Sequence, residues 1–319
     1  MPLSEVFLKP LLAVLVAFSC ATTPCASAQD KDIPQKEVLL WQKLESSIRN
    51  EDRHIDGVFG IAIEDLSSGH TVSVNADETF PTASTIKIAI LAELYRQAQQ
   101  SKIKLTDTYT LQTSDLVGGS GISSTLTPGT TKLTLRDVAV LMISVSDNSM
   151  TNVLIDRVGL DNVNALLDSL HLTHTRLRRK MMDIRAAAEG RENVATPREL
   201  MLLLEALYRG RVLDKQSTDD FFNLLSIPKS SYIPRELPED LRIANKPGEL
   251  EGVRNDIGLV FLQNHPYIVS VMSCYLRNER EGEDAISKIS LLAYRTLDRL
   301  DRASEYGRVI SPANSGSPR

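Results

Sequence analysis

Phe80-Pro81-Thr82-Ala83-Ser84-Thr85-Ile86-Lys87-Ile88-Ala89-Ile90 reads as a tight turn that runs into a helix, with Ser84 and Lys87 on its first turn. Residues three apart on a helix share a face, so a hydroxyl and an amine stand side by side. The start of a helix carries partial positive charge, which favours an oxyanion and disfavours an ammonium. Lys87 is thereby pushed toward the neutral amine, able to take a proton from Ser84 and activate a weak nucleophile. Ser-x-x-Lys alone also fits an ordinary helix start capped by Thr82 or Ser84, so the rest of the chain has to decide.

Outward from this stretch, Val58–Asp65 and Thr71–Val74 read as two antiparallel strands around the turn Ser67-Ser68-Gly69-His70, with His70 solvated at the tip. Gln35 to Asp52 places Val38, Leu39, Trp41, Leu44 and Ile48 at helical spacing. Downstream, the helix continues to about Gln100. The loop from Val117 to Ser124 holds Gly118-Gly119-Ser120-Gly121; with no Gly-Lys-Ser/Thr after it, it reads as a flexible rim rather than a phosphate cradle. Thr134 caps a helix through Val138, Leu141, Met142 and Val145, which breaks at Ser146-Asp147-Asn148-Ser149. Helices follow at Met150–Val158, closed by Gly159, and at Asp161–Leu170, capped by Asp161.

Thr173 to Pro197 lacks clean periodicity and reads as a long surface excursion, a length uncommon without a function. Its Arg176, Arg178, Arg179, Lys180 and Arg185 fit an internally paired or solvated loop better than an anion site. A helix starts at Thr196-Pro197 and ends at Gly210. The last third turns β: Leu241 to Ala244 leads into Asn245-Lys246-Pro247-Gly248, then strands Asn255–Leu262 and Tyr267–Leu276 precede a helix over Ala285–Ala303. Because sequential strands tend to pair, the two ends of the chain build one antiparallel sheet and the central helices form an inserted lobe. A cleft between such lobes is a common place for a site.

The chain has 319 residues, 42% hydrophobic and 24% charged, with a formal net charge of −5. That balance leaves no basic footprint for nucleic acid. Lys9 precedes the apolar run Leu11–Phe18, too short to span a bilayer, and Ala26-Ser27-Ala28 fits the cleavage site of a secretory signal peptide. An uncleaved anchor and a lipid on Cys20 are the alternatives; Ala17 suits the second poorly. Cleavage after Ala28 leaves Cys274 as the single thiol of the mature chain, a small core residue with nothing beside it to lower its pKa. The five histidines are scattered, and His171 with His174 lacks a third ligand, so neither metal nor cofactor is expected.

Ser84-Thr85-Ile86-Lys87, Ser146-Asp147-Asn148 and Lys246-Pro247-Gly248, in this order, resemble the three motifs of penicillin-recognising serine enzymes, and their spacing resembles that of class A β-lactamases. Ala76–Pro81, Thr175-Arg176-Leu177 and Arg254-Asn255-Asp256-Ile257 carry the same resemblance, which runs from about residue 35 to about residue 300. It implies an α+β, β-lactamase/transpeptidase-like fold with N- and C-terminal helices flanking the sheet. Residues 1–28 would be a removed signal peptide and 29–319 the catalytic domain. Within it the sheet lobe spans about 35–80 and 225–304, the α lobe about 81–224, and 305–319 is a flexible tail. The implied protein is a secreted or periplasmic monomer, not inserted in a membrane after cleavage, acting on a β-lactam or a peptidoglycan-like peptide.

By the same resemblance Ser84 is the nucleophile and Lys87 its activating amine. Ser146, assisted by Lys246, passes a proton to the leaving nitrogen, and Asn148 binds the substrate's acylamino group. The N–H groups of Ser84 and Glu249, beside Gly248, form the oxyanion hole. Three departures bear on this. Pro247 stands where a hydroxyl usually helps to hold the substrate carboxylate, which leaves Arg254 as the expected carboxylate ligand. Met181 stands where a glutamate activates the deacylating water; Asp183, Glu189 or Glu192 are the substitutes in reach of sequence reasoning. Asn193 replaces an aspartate that pairs with an arginine, here Arg179, so a looser loop is expected. A β-lactamase is the first reading. A D-alanyl-D-alanine peptidase or penicillin-binding type with slow deacylation, and a sensor without turnover, are the alternatives.

Overall fold

The computed structural model describes residues 35–304 and 306–309, all within the compact unit Ile33–Arg319. The expected signal peptide at 1–28, and residues 305 and 310–319 of the expected tail, lie outside the described residues. The central element is a five-stranded sheet of β1 (Val58–Asp65), β2 (Thr71–Val74), β7 (Ile243–Leu250), β8 (Val253–Val260) and β9 (Tyr267–Cys274), in the order β2-β1-β9-β8-β7. Every neighbouring pair is antiparallel. Residues from both ends of the chain meet where β1 pairs with β9, for example Ile61 with Val271.

Alternation along the strands assigns the two faces. Phe59, Ile61 and Ile63 of β1 pack with Trp41, Leu44 and Ile48 of α1 (Gln35–Asp52) and Ile286, Ile289 and Leu297 of α9 (Glu279–Asp301). Ala62, Ile257, Leu259 and Met272 turn the other way, into a core shared with the helices of the middle of the chain. These are α2 (Lys87–Gln99), α3 (Leu135–Ser144), α4 (Asn148–Val158), α5 (Leu160–Ser169), α7 (Pro197–Tyr208) and α8 (Lys215–Leu225); the short α6 (Ile184–Ala188) contributes no residue to that core. Two short pairs complete the fold: β3 (Phe80–Pro81) with β6 (Val194–Ala195), and β4 (Thr108–Thr110) with β5 (Lys132–Thr134).

Thr134 caps α3 as its sequence predicts, accepting from the Asp137 N–H while Asp137 returns the bond. The α5 cap is instead Gly159, at φ 85°, with no side-chain bond from Asp161. Helix α8 is absent from the sequence reading, although Asp214 accepts from Ser217 N–H at its start and Phe221, Phe222, Leu224 and Leu225 are buried. A helix of 11 residues next to a Pro- and Ser-rich stretch offers few turns over which a period can show. His70 is not merely solvated: its ring stacks on Trp41, centroids 4.3 Å apart.

Where β1 ends, Asp65 is fully buried and its carboxylate accepts from Ser67, Ser68 and His265 Nδ1, the last at 2.9 Å. These hydrogen bonds hold the Asp65 carboxyl below its ordinary value against the opposing cost of burial, and the same carboxylate raises His265. A raised imidazole pKa stabilises the fold below its unfolded value of about 6.5; that contribution fades as pH climbs through the raised value. The lowered Asp65 pKa acts at the other end, losing its contribution as pH falls through it. The urea midpoint of the wild type should therefore drop from about pH 5.5 to about pH 8.5 by more than that of His265→Asn. Equal slopes in the two proteins would show that the pair carries no linkage.

Candidate active site

The nucleophile turn is fixed from three sides. The segment before Ser84 pairs with the end of the long loop through β3 and β6, and Thr82 N–H and Oγ both bond Asn193 O, at 2.9 and 3.1 Å. On the sheet side, fully buried Asn255 donates from Nδ2 to Pro81 O at 2.8 Å and accepts from Ser273 N–H. Below, Ala83–Ile86 forms a single 3₁₀ turn before α2 begins at Lys87. No side chain caps this start, because Thr82 Oγ is bonded to Asn193 instead. Ala83 at φ 48° and Ser146 at φ 56° lie in the left-handed region, a conformation that costs a non-glycine residue energy and persists only where the surrounding contacts hold it.

Ser84, Lys87, Ser146, Asn148 and Lys246 come together. Ser146 Oγ is 2.8 Å from Ser84 Oγ, 3.1 Å from Lys87 Nζ and 3.1 Å from Lys246 Nζ. Lys87 Nζ also donates to Ser146 O at 2.7 Å and to Asn148 Oδ1 at 3.1 Å. Lys246 Nζ donates to Pro247 O at 3.1 Å. The contact between Lys87 and Ser84 thus runs through Ser146 rather than directly. Both lysines are buried. Burial, then the charge of Lys246, pushes the Lys87 amine well below its ordinary value, with Asp147 opposing. Burial and then Lys229 push Lys246 down to about 7. Two acceptors, Ser146 O and Asn148 Oδ1, use both N–H groups of a neutral Lys87. Its lone pair then faces Ser146 Oγ.

Gly248 lets edge strand β7 approach this turn. A Cβ there would stand 3.0 Å from Ser84 N and 2.8 Å from Thr82 O. Pro247 fits an edge strand, where no ladder partner needs its missing N–H. Glu249 lines the cleft, and its carboxylate accepts from Tyr232 Oη.

The glycine-rich loop is no free rim. The Asp147 carboxylate accepts from Ile122 N–H, Ser123 N–H and Ser123 Oγ, each within 2.8 Å, and caps α4 through Met150 N–H. Gly121 is required by this contact: at φ 119° a Cβ would lie 2.3 Å from the Asp147 carboxylate. Asn148 N–H donates to Ser120 O, and Asn148 Nδ2 to Gly118 O.

Arg254 does not join the site, contrary to the sequence expectation. Its cross-strand partner is Glu249, and its side chain points to α9, where Glu279 and Glu283 pair with it at 3.2 and 3.0 Å. Strand alternation decides this: Asn255, next to it, faces the nucleophile turn, so Arg254 must face away.

The long loop is ordered by pairs. Arg176 binds Asp168, Lys180 binds Asp156, Arg185 binds Glu189, and Arg179 binds Glu192 at 2.7 Å. Asn193 does not loosen it. Its Oδ1 accepts from the N–H groups of Arg178 and Arg179 and its Nδ2 donates to Arg179 O, so one amide satisfies three backbone groups. Asn152 clamps the Met181 backbone likewise, at 2.8 and 3.1 Å. Met181 lines the same cleft as Ser84, together with Met182, Ile184, Leu250 and Glu192. Of the proposed substitutes for the missing carboxylate, Asp183 is engaged as the α6 cap and Glu189 is paired with Arg185 and Arg191 outside the cleft wall. Glu192 alone lines the cleft, bound to Arg179.

Sequence reasoning missed Asn152, Lys229 and the positioning part of Asn255. A buried asparagine on an apolar helix and the polar pair Asn255-Asp256 within an apolar strand were the available signals.

A family model for the β-lactamase enzyme family matches residues 42–297. β-Lactamase SME-1 of Serratia marcescens is 26% identical over 265 residues, covering 79% of this chain and 88% of that protein. A β-lactamase structure from Sphaerobacter thermophilus is 34% identical, with TM-score 0.75, covering 81% of this chain and 97% of the other. A variant of PBP-A with glutamate for a leucine, solved as an acyl-enzyme with penicillin G, is 26% identical with TM-score 0.72, covering 81% of this chain and 96% of that one. With a serine, two buried lysines and a second serine gathered at one cleft, and with this breadth of match, the chain belongs to the β-lactamase enzyme family and is a class A-like serine hydrolase.

Proposed function

We propose that this protein opens β-lactam rings through an acyl-enzyme on Ser84. The observation that carries the proposal is the hydrogen-bonded path from Ser84 Oγ through Ser146 Oγ to Lys87 Nζ. Ser84 Oγ attacks the lactam carbonyl while its proton moves to Ser146 Oγ and the Ser146 proton moves to neutral Lys87. The C–N bond then breaks, and the nitrogen receives a proton from Ser146, resupplied by Lys87 or Lys246. Water later attacks the ester and releases the ring-opened acid. The N–H groups of Ser84 and Glu249 receive the oxyanion, each worth about 3 kcal/mol in the barrier; the close passage of β7 at Gly248 supports that role. Asn148 orients the acylamino group.

A second reading is favoured by Met181. A thioether is no general base, and Glu192 is tied to Arg179, so deacylation is slow and the protein behaves as a penicillin-binding type. A peptidase acting on a peptidoglycan-like peptide, or a sensor without turnover, would share the acylation chemistry. Secretion after cleavage at Ala28, a monomeric state and the division into sheet and α lobes belong to this proposal too. Among the described residues no helix is long and apolar enough to cross a membrane.

Intact-mass measurement after adding penicillin G tests both readings. An adduct of the mass of the whole penicillin, mapped to the peptide bearing Ser84, is expected, and its lifetime separates turnover from slow deacylation. An adduct on another residue, or none with any penicillin or cephalosporin, would refute the proposal.

A further inference from the structure

Ser84, Ser120 and Glu249 line two adjoining hollows. One is walled by Met181, Met182, Ile184 and Leu250. The other is polar, with Ser146, Lys229, Ser230, Lys246 and Pro247 around it. A substrate seated at Ser84 therefore has an apolar side and a cationic side, and the cations can be sorted by what they already bind. Lys87 contacts three oxygens and Lys246 two. Arg179, on the apolar side, pairs with Glu192, and Arg254 faces α9. Lys229, just beyond the end of α8, makes one hydrogen bond among the described residues, from Nζ to Leu225 O at 2.8 Å. An ammonium has three donors, so two remain.

We propose that Lys229 holds the anionic end of the substrate, with Ser230 beside it offering the hydroxyl that Pro247 lacks. This rests on the acyl-enzyme reading above and assigns to this site a ligand that the motifs do not contain. A carboxylate placed there meets a largely desolvated cation, where a charge-assisted hydrogen bond is stronger than at a surface. Burial lowers the Lys229 amine to about 8, with Asp256 opposing, so the group is cationic at neutral pH. An arriving carboxylate strengthens that state.

The test compares acylation of the full chain by penicillin G and by its uncharged methyl ester. Lys229→Met should lower acylation efficiency for the acid by about ten- to a hundredfold, as expected for a lost hydrogen bond to a charged group. The ester should be affected far less, so that preference for the acid collapses. Lys229→Arg, which keeps the charge, should keep the preference. Equal losses for acid and ester in Lys229→Met, or equal impairment in the Met and Arg variants, would overturn the assignment. If the wild type is acylated by neither compound, the acyl-enzyme reading itself fails.

Discussion

Met181→Glu is expected to shorten the lifetime of a penicillin adduct by about 10²–10⁴-fold, the usual contribution of a positioned general base. The position is prepared for it. Met181 is 8% exposed, lines the cleft that contains Ser84, and has its backbone held on both sides by the Asn152 amide. Methionine and glutamate have unbranched stems of similar length, so the new carboxylate replaces the thioether with little change in packing volume. Burial raises a carboxyl's pKa, toward the range in which a base works at neutral pH. The cost falls on stability: a part-desolvated carboxylate should destabilise by about 1–3 kcal/mol, read as a lower Tm. Met181→Gln keeps shape and polarity but cannot accept the proton, and should leave the lifetime unchanged. The decay of the adduct by intact mass decides. A Met181→Glu adduct that clears no faster than the wild type's would show that the block to deacylation lies in water access rather than in a missing base.

The sheet and its flanking helices were legible because each strand carries its own alternation and α1 and α9 carry clear helical spacing. The three motif segments were legible because they bring the chemistry in short, ordered pieces. What escaped depended on contacts between distant residues. Asn193 looked like a weakened ion-pair partner, yet an amide can both donate and accept: it accepts from two backbone N–H groups and donates to the Arg179 carbonyl, a bond an ionised aspartate could not make. Arg254 sat in a matching motif, but the identity of a residue does not reveal which face of β8 it occupies until the register of β7 and β8 is fixed. Gly119 and Gly121 suggested mobility, whereas the conformational freedom of Gly121 serves to let the loop close over the Asp147 carboxylate. Lys229 lies in a stretch without periodicity, and only the return of β7 along the cleft makes it a neighbour of Ser146.

Ser146→Ala should reduce the rate of acylation by about 10²–10⁴-fold, because the hydroxyl is the link between the nucleophile and both amines. Ser146 Oγ reaches Ser84 Oγ at 2.8 Å and each lysine at 3.1 Å, so its removal strands Ser84 without a base in hydrogen-bond reach. A structural role would give a different pattern. Ser146 adopts φ 56°, a conformation glycine accepts without strain; Ser146→Gly therefore keeps the backbone and removes only the hydroxyl, and should be as slow as Ser146→Ala. The pH profile adds a second readout. Lys87 and Lys246 lie against the same hydroxyl, and each disfavours a proton on the other. In the wild type, acylation should rise with pH as the pair sheds its second proton and a lone pair becomes available to Ser146. In either variant the path to that lone pair is cut, so the acid limb should flatten while Tm stays near the wild-type value. If Ser146→Gly acylates at the wild-type rate with the limb intact, Lys87 must take the Ser84 proton directly, and the two side chains must then approach one another more closely in the substrate complex than in the free protein.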